Sequence, residues 1–266
     1  MLGFAVTFGA VLGSFLGPTF VGLLIVAAAA RVVSARYLAA FALGLYFWFF
    51  TDTIGDANLL GVNEGFTGGG FHVLLWGLFV LGVVVFFSLD GSLFTAGPEG
   101  TRLGFVIPLM VGLAVGIHGF GEGAAIGGTA ATTPSSNLLD AFGGLSAAVA
   151  FILHKGLEPM MMGAAYWVYA GDRFKSGSAL LKDMAVLTGA FTIPGIVGGA
   201  LAYYLVQIYP NADFTYVFAL GLGTSLYAAV RLARPLFEGT RADGSKVAIA
   251  VAIGFTCLYL AALLHS

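Results

Sequence analysis

Apolar residues run through this chain in long blocks, and polar or charged residues collect in the short gaps between them. A helix needs roughly 20 predominantly apolar residues to cross a bilayer. Eight blocks meet that length: about 3–30, 37–57, 71–89, 103–130, 141–170, 183–208, 213–233 and 245–264. The pattern predicts an all-α integral membrane protein with eight transmembrane helices, a single transmembrane domain over residues 1–266. The fourth and fifth blocks are longer than a perpendicular span and contain Gly and Pro, which predicts tilting or a break. The small residues near position 30 look like a cleavage site. However, no Lys or Arg precedes Arg31 and the apolar run is too long for a signal peptide, so it reads as a true first span.

Composition narrows the function classes. The chain is 59% hydrophobic and 9% charged, against about 25% charged residues in soluble domains, which excludes a water-soluble core. A net charge of -2 with no basic patch offers nothing to nucleic acid. The single cysteine, Cys257, excludes an intrachain disulfide framework and any multi-cysteine zinc or iron–sulfur site.

Charge placement then predicts orientation. Arg31 and Arg36, Arg102, the group Arg173, Lys175 and Lys182, and the group Arg231, Arg234, Arg241 and Lys246 all fall in alternate gaps. Ten of the eleven cations therefore share one side, cytoplasmic by the positive-inside rule, with both termini extracytoplasmic. The other gaps carry Glu64, Asp140 and Asp213, with Asp52 and Asp56 at the outer end of the second span. They read either as ordinary loop solvation or as a vestibule whose negative potential concentrates cations. Trp48, Trp76 and Trp167 suit interfacial belts, and His72 and His265 suit interface positions. Glycine spacings at Gly112/Gly116, Gly119/Gly123 and Gly195/Gly199 predict close helix packing.

The remaining cation, Lys155, lies inside a span, among the groups that carry the chemistry. His118 and Glu122 in the fourth span, and His154 and Glu158 in the fifth, are two pairs spaced i, i+4. Each pair shares a helix face. Ionisable groups at mid-bilayer cost roughly 2.5–3.5 kcal/mol each on insertion scales, so something must offset them. A salt-bridge network, a proton relay and a divalent cation in transit are the three readings. Imidazole and carboxylate together suit zinc, iron or manganese. Met110 and the run Met160, Met161 and Met162 read as packing and lipid contacts, since three consecutive positions face three directions. Pro159 follows Glu158 directly; lacking an N–H, it predicts a kink inside the motif. Gly/Pro-interrupted spans point to a transport site.

The segment His118-Gly-Phe-Gly-Glu122-Gly123 resembles the HNFPEG motif in the fourth span of ZIP metal transporters, and His154-Lys-Gly-Leu-Glu158 resembles the H-x-x-x-E motif of their fifth. Eight spans with both termini outside also match that family. The resemblance implies a divalent metal cation transporter, not an enzyme, moving zinc, iron, manganese or cadmium into the cytoplasm across the cell membrane without ATP. It implies His118, Glu122, His154 and Glu158 as metal ligands and places Asp52 and Asp56 beside the metal route; Glu64, from its charge in an outer gap, is the further candidate for the entry pathway. No organic cofactor is implied. The partners would be metal ions and lipid, with a homodimer as one arrangement.

The departures from the family motif are informative. Gly119 and Gly121 stand for Asn and Pro, Lys155 for an acidic or amide residue, and the sixth span has only Thr188 and Thr192 as polar candidates. They predict one metal rather than two, with Lys155 as a fixed internal counter-charge. Two rivals use the same residues: an intramembrane metal-dependent hydrolase and a proton-coupled solute carrier.

Overall fold

A computed structural model describes residues 2–57, 70–94, 104–134, 137–171, 177–210, 212–237 and 244–265. Among these the secondary structure is helical, with no strand. Seven helices are long and apolar enough to cross a membrane. They are α1 (Phe4–Ala29), α2 (Ala35–Asp56), α3 (Gly70–Phe94), α4 (Val106–Thr132), α7 (Gly177–Ile208), α8 (Thr215–Phe237) and α9 (Gly244–Ala262). The block expected at 141–170 is instead two short helices, α5 (Leu145–Leu157) and α6 (Pro159–Ala170), preceded by a 3-10 turn over Leu138–Phe142. Gly143 and Gly144, with φ of 85° and 112°, turn the chain from that 3-10 segment into α5, a conformation that a residue with a β-carbon rarely adopts.

The break between α5 and α6 has the cause expected from the sequence. Glu158 keeps helical angles and its N–H still donates to the His154 carbonyl at 2.9 Å. Pro159 cannot donate to the Lys155 carbonyl, and Met161 donates to Glu158 in a tighter turn at 3.0 Å. The backbone of α1 seals this weak point. A β-carbon on Gly22 would overlap the Gly156 carbonyl and lie 3.2 Å from Pro159 Cγ.

Helix α4 is the centre of the bundle and makes its largest contact with α7. A β-carbon on Gly123 would overlap the Gly195 carbonyl, and one on Gly127 would overlap that of Gly199. The glycine spacings therefore match each other across a parallel pair, and the backbones touch as small-residue packing allows. Helix α6 is enclosed by α1, α2, α4 and α8. For that reason Met160, Met161 and Met162 are all buried, where three consecutive positions were expected to be split between packing and lipid. By contrast, α3 and α9 lie at the periphery with most of their spans exposed.

The two ends of the bundle differ. At one end Arg36 Nη2 donates to the Leu236 carbonyl at 3.2 Å, Arg231 pairs with Asp90, and the Tyr169 hydroxyl donates to the Arg231 carbonyl at 2.7 Å. At the other, the Tyr203 hydroxyl donates to the Leu2 carbonyl at 2.8 Å and the Ser146 hydroxyl to that of Leu264. Arg102, Arg173, Lys175, Arg241 and Glu64 lie outside the described residues.

Candidate metal centre

Four ionisable side chains from α4 and the α5–α6 break meet inside the helical bundle. Glu122 projects from α4 one turn after His118, and His118 Nε2 stands 3.6 Å from Glu122 Oε1. Glu158 sits at the break itself. Lys155 bridges the two carboxylates: its Nζ pairs with Glu122 Oε2 and lies 2.5 Å from Glu158 Oε2. Lys155 has no exposed surface, whereas the Glu122 side chain keeps 16%, so Glu122 is the member of the group that reaches outward.

His118, Glu122 and Glu158 each place one ligand atom within 4.8 Å of the others. One imidazole nitrogen and two carboxylate oxygens at that spacing suit a borderline or hard divalent cation. The His118 ring is clamped edge-on between Phe49 of α2 and Phe218 of α8, with centroids 4.9 and 5.0 Å away. Its Nδ1 is buried and has no hydrogen-bond partner among the described residues.

His154 is not part of this group of three. It lines a cavity of about 670 Å³ together with Glu122, Asp52, Asp56, Thr129, Phe151 and Phe218. Asp52 and Asp56 are exposed, one helical turn apart at the end of α2, while His154 is buried. Carboxylates therefore lie at the exposed part of this space, and His154 and Glu122 lie deeper. The cavity opens at the end of α2 opposite Arg36. His72 lies in the first turn of α3, and His265 lies in the closing 3-10 turn Leu263–His265. Thr188 and Thr192 of α7 are buried, with the Thr192 hydroxyl donating to the Thr188 carbonyl at 2.8 Å.

An aromatic cage around Lys155 was not foreseen from the sequence. Rings of Phe15, Phe151 and Phe191 surround Nζ at 5.5, 5.7 and 5.4 Å, close enough for cation–π attraction. The position of Phe151, four residues before Lys155, could have revealed it; Phe15 and Phe191 arrive from α1 and α7 and left no local signal. The cage also accounts for Gly119, because a β-carbon there would press to 3.2 Å from the Phe15 ring. Gly121 similarly leaves room for Phe218, whose ring would lie 2.6 Å from an added β-carbon. Both glycines thus admit the aromatics that flank the ionic group.

The chain matches no protein-family description and no curated protein.

Proposed function

We propose that the protein is a transporter of divalent metal cations, of the zinc, iron, manganese or cadmium class, and not an enzyme. One observation carries the reading: an imidazole nitrogen and two carboxylate oxygens lie within 4.8 Å of one another, and one of those carboxylates lines an acid-bearing cavity. In this reading Asp52 and Asp56 attract the ion by their negative potential. His154 and Glu122 receive it, and His118 and Glu158 complete its coordination. The α5–α6 pair counts as one interrupted span, giving eight. The end bearing Arg36 and Arg231 is cytoplasmic, so the cavity faces outward from a cell membrane. The His118–Gly123 and His154–Glu158 segments, with their likeness to ZIP transporters, support the same assignment.

A second reading has an observation of its own. Lys155 already forms ion pairs with both carboxylates, as a purely structural ion network fastening α4 to the α5–α6 break would. Flux decides between them. Purified protein in liposomes is expected to take up zinc or manganese, and Glu122→Ala is expected to abolish uptake while the protein still elutes as a folded species. Uptake that survives Glu122→Ala would overturn the transport assignment, and its absence from the wild type would favour the structural network.

A further inference from the structure

The arrangement contains its own cation at the place where a cargo cation would sit. Lys155 Nζ lies between Glu122 Oε2 and Glu158 Oε2. Around it, three aromatic rings stand at 5.4 to 5.7 Å. We propose that Lys155 is a tethered return ion, which lets the metal-free carrier change conformation and so allows net transport without obligatory metal exchange. This rests on the transport reading and specifies its coupling.

Charge is what the lysine changes. With histidine counted neutral, two carboxylates and one ammonium give the empty site minus one, and a divalent ion brings the loaded site to plus one. Without the ammonium the same two states would be minus two and zero. The desolvation cost of a charge in a low-dielectric interior rises with its square. The lysine therefore makes the empty and loaded sites equally charged in magnitude. Its removal would leave the loaded site neutral and raise the cost of the empty one about fourfold. Such a carrier would cross readily with metal and be trapped without it, which is the behaviour of an exchanger.

The cage gives the ammonium somewhere to go. When metal takes the carboxylate oxygens, Nζ must withdraw from both of them. Phe15, Phe151 and Phe191 offer it ring faces within the usual cation–π range of about 6 Å. None of these rings supplies a ligand atom to the metal, and their position around Lys155 fits a resting place for the displaced ammonium.

The test compares two zinc fluxes in one set of proteoliposomes: labelled zinc into metal-free vesicles, and labelled zinc into vesicles preloaded with unlabelled zinc. For the wild type the two rates should agree within about twofold, a difference too small to mark a rate-limiting empty return. For Lys155→Met the ratio of exchange to net uptake should rise on the order of tenfold, and Lys155→Arg should return it to the wild-type value. An unchanged ratio in Lys155→Met, or equal loss of both fluxes in folded protein, would overturn the proposal. So would a wild-type rate accelerated severalfold by internal zinc, an arm that decides even if Lys155→Met fails to fold. Wild-type vesicles that take up no zinc beyond protein-free ones would fail the transport reading first, and this inference with it.

Discussion

Lys155 is held by two carboxylates, and that redundancy sets how variants at this site should behave. Removing one partner of a buried ion pair usually costs about 3–5 kcal/mol, because the other charge is left uncompensated. Glu122→Gln or Glu158→Gln alone leaves the ammonium one anionic partner, so each should cost less than that range. The double variant leaves Lys155 with no anionic partner and should lose more than the sum of the two, by about 0.5–3 kcal/mol. Thermal unfolding in detergent across the four proteins checks this, and strictly additive losses would show that the carboxylates do not share the lysine. The same residues show what was legible. The spacing of His118 and Glu122 was enough to bring them together, 3.6 Å apart in the fold, because a single unbroken helix fixes an i, i+4 pair. His154 and Lys155 both neighbour Glu158 on a helix surface, four and three residues back. Periodicity cannot choose between them, and in the fold the ammonium, not the imidazole, takes the carboxylate.

At the scale of helices, composition was enough for the long apolar elements, since length and hydropathy are properties of each segment alone. The break at Pro159 was equally readable, because the missing N–H is a property of one residue. Which helices touch was not readable: Gly119/Gly123 and Gly195/Gly199 announce close packing without naming a partner, and the enclosure of α6 depends on four other helices. The fold now separates glycines that sequence treats alike. A β-carbon on Gly123 meets backbone of α7, which cannot rotate away, whereas one on Gly13 of α1 meets nothing within 4 Å. Gly123→Ala should therefore destabilise by about 1–3 kcal/mol or more, as overpacking does. Gly13→Ala should stabilise by about 0.5–1 kcal/mol through the lost flexibility of the unfolded chain. Melting temperatures of the two variants measured side by side test the assigned α4–α7 contact; similar shifts in both would count against it.

For the whole molecule, the feature that matters is that space beside the ionic group is uneven. Toward the end bearing Asp52 and Asp56 lies the cavity of about 670 Å³. On the side between α1, α6 and α7, Leu23, Met161, Met162 and Leu187 are all buried in the hydrophobic core. An ion reaching Glu122 would come from the cavity, and passage onward would need those packed side chains to move. On the proposed transport reading, that asymmetry corresponds to one state of alternating access, and it can be tested chemically. Cys257 is the chain's only cysteine, so Cys257→Ser gives a thiol-free background. In it, Thr129→Cys, lining the cavity, should react with a membrane-impermeant thiol reagent added from the outside of oriented vesicles. Leu187→Cys, in the packed region, should be far slower from either side. Zinc should slow the Thr129→Cys reaction, because an ion held by Glu122 shares the cavity with it. Equal labelling from both faces would mean an open channel, and labelling indifferent to zinc would place the metal elsewhere.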